Sequence, residues 1–230
     1  MFMDRQDQKD QPTSTAEQMG DADMTRPQQT TAADGMPFAL TAVDRELLSQ
    51  TDDQFKPHSW QELKEIIEAN DLAALKRKPS DLGRYIKWTT EIKKQYGSMT
   101  AFILANRLPR TWGQPPFSPK SQIPFDDAAD YKVLRNDWPY GMEPGISHLV
   151  VWSRTPIPTD AETGDLTSES RALIQNFVKR YFVASLGPEG ENRVLWFKNW
   201  VALQSVRSLE HFHVLVCDVD EDQLERWVED

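Results

Sequence analysis

The sequence has a single cysteine, Cys217, which excludes an internal disulfide and any zinc module built from several cysteines. No stretch approaches the roughly 18 apolar residues of a membrane span, and no basic-then-apolar segment opens the chain. These absences lead to the expectation of a cytoplasmic protein that stays out of the membrane. No Lys/Arg block offsets the formal net charge of -10, which argues against nucleic acid as a partner. Phosphate-cradling glycine loops, dinucleotide turns, Gly-x-Ser-x-Gly elbows and metzincin helices are missing, so no cofactor is expected from motif. Aromatic residues, by contrast, reach 10% and include eight tryptophans, enough for a substantial core in 230 residues.

Residues 1–36 are rich in Gln, Asp, Thr and Met without an apolar period, so they are expected to be a disordered tail. Residues 37–110 carry helical patterning. Ser59 and Glu62 form a capping box ahead of Leu63, Ile66 and Ile67, and Ser80 is placed as an N-cap before the stripe Leu82, Tyr85, Ile86, Thr89, Ile92. Lys93, Lys94 and Arg107 are assigned to a solvated helix face, with a basic patch as the other reading. Residues 111–125 are proline-rich and aperiodic, a linker or a loop laid over the surface. From 126 to 230 the pattern becomes strands around one long helix: 131–134, 147–152, helix 168–186, 194–197 and 208–216, then a closing helix capped by Asp220. The expected fold is α+β, with a helical section packed on an antiparallel sheet.

The candidate site rests on histidine placement. His211 and His213 sit two apart on a strand, so both rings point to one face, about 7 Å apart, while Phe212 and Val214 point to the other. His148 lies in a second apolar strand. Such a pair can hold a phosphate, a metal or a nucleophile, or can serve as hydrogen-bonded histidines at the core edge. For phosphorus chemistry, His211 would attack or act as base if an acceptor on its other nitrogen fixed the tautomer. His213 would be cationic and donate to a non-bridging oxygen. Asn199, Gln204 and Ser205 add neutral donors, and His148, Asn136 and Asp137 complete the substrate-binding set. Trp138, Trp152 or Trp196 could receive a base or ribose, or simply fill the core. Zinc held by the three histidines and Asp137 is the competing reading.

Two family resemblances bear on this site. The order of Asn-Asp-x-Pro turn, His148 strand, helix, Asn199 strand, Gln204-Ser205-Val206 and His211-x-His213 resembles the histidine-triad superfamily of nucleotide hydrolases and transferases. That resemblance implies His211 as nucleophile toward an α-phosphate and a nucleotide partner. Leu209 stands where the first histidine of the triad would be, and one extra residue follows Val206. The phrases Asn136-Asp137-Trp138-Pro139-Tyr140-Gly141, His148-Leu149-Val150-Val151-Trp152, Trp196-Phe197-Lys198-Asn199-Trp200 and Ser208-Leu209-Glu210-His211-Phe212-His213-Val214 resemble a fungal family more closely. Its namesake is an N-acetylglucosamine-induced protein, and its shared domain has no assigned reaction. Together these imply a nucleotide or sugar-nucleotide ligand, with a non-catalytic binding protein or a zinc-dependent hydrolase as alternatives. Nothing in the residues fixes an oligomeric state.

Overall fold

The computed structural model describes residue 40 and residues 42–229; the expected disordered tail lies outside the described residues. Among the described residues four α-helices come first: α1 (Ala42–Leu48), α2 (Trp60–Glu68), α3 (Pro79–Tyr96) and α4 (Met99–Asn106). Strands β1 (Tyr131–Arg135) and β2 (Ile146–Ser153) follow, then α5 (Ser168–Val178), β3 (Val194–Phe197), β4 (Glu210–Cys217) and α6 (Glu221–Glu229). The strands form one antiparallel sheet in the order β1-β2-β4-β3, so the α+β fold is as expected.

Local chemistry explains most boundaries. Ser59 caps α2 by accepting from the Glu62 N–H at 3.2 Å, but the Glu62 carboxylate turns to His58 and leaves the other half of the box unmade. The expected Ser80 cap is replaced. Pro79 occupies the first turn of α3, and the Ser80 N–H is met from outside by Asp52 Oδ1 at 2.9 Å. Proline at that position has no N–H to satisfy, which is why the helix can begin there. The long helix keeps its expected length only by changing pitch, through a π turn at Lys179–Val183 and a 3-10 turn at Ala184–Leu186.

Side-chain alternation splits the sheet into two different faces. Val133, Leu149, Val151, Phe212, Val214 and Val216 pack on α5 and α6, against Ile174, Phe177, Phe182, Leu224 and Trp227. The opposite face meets the N-terminal helices: Val150 and Trp152 pack with Ile92, Ile103 and Leu104, while Leu215 and Phe197 pack with Leu63. β4 is therefore paired on both edges and covered on both faces. The proline-rich segment is a loop laid on the body, pinned where Asp130 Oδ2 accepts from the Ser121 N–H at 2.8 Å.

A buried ion pair ties that loop to the sheet. Asp130 is fully buried, and Arg154 Nη1 lies 3.3 Å from its Oδ1, with the Arg154 side chain 12% exposed. Removing one partner of a buried pair strands the other charge, at a cost of about 3–5 kcal/mol. Asp130→Ala is expected to lower unfolding free energy by about that much in urea titrations. A loss under about 1 kcal/mol would show that Arg154 finds water or another partner.

Candidate functional site

The sheet register brings the three expected imidazoles together. Trp152 lies opposite His211 and Val150 opposite His213, which puts His148 diagonally beside His213 on the same face. His148 Nε2 and His213 Nδ1 are 3.0 Å apart, and the His211 and His213 ring centroids are separated by 5.5 Å. All three are buried, at 6%, 6% and 7% exposure for His148, His211 and His213.

His211 meets the tautomer requirement from the main chain. Its Nδ1 is 2.8 Å from the Leu209 carbonyl, which can only accept, so Nδ1 carries the proton and Nε2 the lone pair. The ring lies over Trp152, centroids 4.7 Å apart at 31°. Burial pushes the His211 pKa down to about 4, with the Leu209 carbonyl opposing and Lys198 reinforcing the shift. Burial likewise takes His148 to about 3, and it holds His213 well below the usual range with help from the two neighbouring rings. All three are neutral at pH 7, so His213 is an uncharged imidazole in place of the expected cation.

The His211 and His213 rings border a cavity of about 750 Å³ between the sheet and α1, α3 and α4, a volume typical of small-molecule sites. Asn136, Asp137, Asn199, Gln204, Ser205, His211 and His213 all line it. His148 does not. It stands behind His213, stacked on Tyr140 with centroids 5.5 Å apart. Gln204 braces its own loop, donating from Nε2 to the Asn199 carbonyl at 2.7 Å. Asp137 pairs with Arg107 Nη2 at 2.7 Å; burial raises its carboxyl against that guanidinium. Trp138 and Trp152 line the cavity, whereas Trp196 faces away toward Phe212 and donates to Gln175.

The helical section supplies what the sequence assigned elsewhere. Lys93 and Arg107 line the cavity, as do Arg77, Tyr85 and Trp88, while Lys94 pairs in solvent with Glu91. The expected solvated face is thus divided, because α3 turns Lys93 inward and Lys94 outward. Arg77 lies over the Tyr85 ring at 4.5 Å, a cation–π contact that steers its guanidinium. Gly141 allows the turn that carries Asn136 and Trp138 to pass beneath this layer, since a Cβ there would sit 2.4 Å from the Phe55 ring. His58, the fourth histidine, is a structural clip. Its Nδ1 is 3.0 Å from Glu62 Oε1, and its Nε2 accepts from the Lys76 N–H at 3.1 Å. A carboxylate four residues along the chain was the available signal for that role.

For zinc the donor set is spent on other partners. His148 and His213 bond to each other and Asp137 pairs with Arg107. Among the described residues, no group of three or more His, Cys, Asp or Glu side chains is arranged to hold a metal ion. Also among them, no helix is long and apolar enough to cross a membrane.

Comparison with known proteins fits the fungal motif phrases. Residues 59–217 match the family model described as "Protein of unknown function (DUF3605)". The chain is 29% identical over 182 residues to N-acetylglucosamine-induced protein 1 of Candida albicans, covering 72% of this chain and 70% of that protein. It is also 29% identical over 177 residues to the uncharacterized protein YPL067C of Saccharomyces cerevisiae, covering 76% and 86%. A solved structure titled "Crystal Structure of HTC1" is 29% identical with a TM-score of 0.58, covering 75% of this chain and 94% of that one.

Proposed function

The chain belongs to the DUF3605 family, and we propose that its roofed cavity binds a nucleotide or sugar nucleotide, with His211 as nucleophile or base at phosphorus. One observation carries this reading: the cavity inverts the charge of the chain around it. Lys76, Arg77, Lys93, Arg107, Arg135 and Arg207 line it against only Asp44 and Asp137, in a protein of net charge -10. Cations focused in a low-dielectric cleft attract an anion locally, while the global negative field is screened within about 10 Å at ordinary salt.

The rest of the lining suits such a ligand. Tyr85, Trp88, Trp138 and Trp152 offer ring faces for a base or ribose. His211 presents an unprotonated Nε2, fixed by the Leu209 carbonyl, on a ring that borders the same space. As Nε2 bonds to phosphorus, the bond to the leaving group breaks; water then releases the nucleotide from the histidine. The Candida relative is named for induction by N-acetylglucosamine, so amino-sugar nucleotides are the first ligands to try, and a role in the amino-sugar response in the cytoplasm belongs to the same proposal.

Leu209 favours a second reading, a binding protein without turnover on the same fold. It is buried at 2% exposure, and only its main chain, with no further imidazole, braces His211. One experiment separates the two. The purified protein is mixed with nucleoside phosphoramidates and nucleotide sugars, and both binding heat and an acid-labile phosphohistidine are measured. Binding with turnover and an adduct at residue 211 is expected. Binding alone selects the second reading, and no binding of either ligand class removes both.

A further inference from the structure

Among the described residues four arginines are half-buried: Arg77, Arg107, Arg154 and Arg193. Three of them spend a terminal nitrogen on a protein acceptor. Arg107 Nη2 donates to Asp137 Oδ1 at 2.7 Å, Arg154 Nη1 lies 3.3 Å from Asp130 Oδ1, and Arg193 Nη2 donates to the Asp218 carbonyl. Arg77 differs. Its Nε donates to the Trp138 carbonyl at 3.3 Å, yet neither Nη1 nor Nη2 meets a carboxylate, carbonyl or hydroxyl among the described residues.

The guanidinium is nonetheless held in place. Its carbon lies 4.5 Å from the centroid of the Tyr85 ring and 5.1 Å from that of Tyr140, and the Trp138 carbonyl fixes its Nε edge. A long side chain fixed by three groups has already lost the rotamer freedom that binding would otherwise take from it. With the Nε edge occupied, the end formed by Nη1 and Nη2 remains, and its parallel N–H groups match two oxygens of one anion. Arg77 lines the cavity. After burial, it is also among the charges that lower the His148 and His213 pKa values, so its guanidinium stands toward the histidine side of that space. Other cations of the lining are less suited: Arg107 and Arg135 are in ion pairs with Asp137 and Glu221, and Arg207 is exposed.

We propose that Arg77 is the residue that grips the ligand's phosphoryl group, with Nη1 and Nη2 donating side by side to two non-bridging oxygens. This rests on the anionic-ligand reading above and adds to it the side chain that fixes where the anion lies. A lysine would supply the charge, but neither the paired donors nor the flat face that lies over Tyr85 and Tyr140.

The test titrates inorganic pyrophosphate by calorimetry into the full chain as wild type, Arg77→Lys, Arg77→Gln and Arg110→Gln, the last an exposed arginine away from the cavity, with malonate as the carboxylate probe. Pyrophosphate is expected to bind wild type, to bind both Arg77 variants about tenfold or more weakly, and to bind Arg110→Gln within about threefold of wild type. Arg77→Lys matching wild type overturns the paired-donor grip, since charge alone then suffices. Equal losses in Arg77→Gln and Arg110→Gln overturn the assignment in favour of a diffuse field. Malonate binding tighter than pyrophosphate overturns the phosphoryl class. Wild type that binds no pyrophosphate sinks the anionic-ligand reading together with this inference, whereas binding that both Arg77 variants leave intact sinks this inference alone. Where neither Arg77 variant folds, wild type labelled with 15N-arginine decides. Pyrophosphate is expected to shift the Arg77 Nη resonances, and unmoved resonances overturn the grip.

Discussion

Taking the protein from pH 7.5 to pH 5 is expected to bring it to the edge of unfolding. The cause is the burial of three neutral imidazoles in one place. In the unfolded chain each takes up a proton near pH 6.5. In the native state His211 holds out to about 4 and His148 to about 3, both because burial disfavours the charged ring. His213 is lowered in the same direction, by burial and by its two ring neighbours. A lowered native pKa means that the unfolded state binds more protons, so stability is full above pH 6.5 and is lost as pH falls below it. Three groups give a slope of roughly 4 kcal/mol per pH unit, against a typical total of about 5–15 kcal/mol. Asp137, whose carboxyl is raised by burial and eased by Arg107, opposes this as a single group. Urea unfolding at pH 7.5, 6.5, 5.5 and 5 measures the slope. A flat curve would mean that the rings are solvated or charged in the native state.

His211→Ala is expected to fold, to bind its nucleotide within a few-fold of wild type, and to lose turnover by about 10³-fold or more. Binding survives because the cations and aromatic rings that make up most of the lining come from other residues. Turnover goes because no second ring replaces its Nε2: His213 is occupied by His148 and Asn199, and His148 does not reach the cavity. Added imidazole is expected to restore part of the rate, since the void left beside Trp152 admits a free ring. Undiminished turnover in this variant would dismiss His211 as nucleophile or base, whatever the ligand.

The sequence carried the site unevenly, for physical reasons. Strand alternation alone put His211 and His213 on one face and Phe212 on the other, because a two-residue period does not depend on partners. His148 needed more, since only the β2–β4 register decides which residue lies beside His213. The same register, through Trp196 opposite Val214, sends that tryptophan to the far face, although its composition resembles that of Trp138 and Trp152. The cationic lining was illegible for another reason. Lys93 and Lys94 are adjacent on α3, and only the packing of that helix over the sheet decides which of them turns inward.

The position of β4 has a consequence for the lifetime of the site. A strand hydrogen-bonded on both edges and sandwiched between two apolar layers belongs to the part of a domain that opens last. Backbone amides from His211 to Val216 should accordingly exchange with deuterium only through whole-molecule opening, while those of α1 exchange through local fraying. Ligand can then come and go as the outer helices loosen, and the imidazoles keep their spacing throughout.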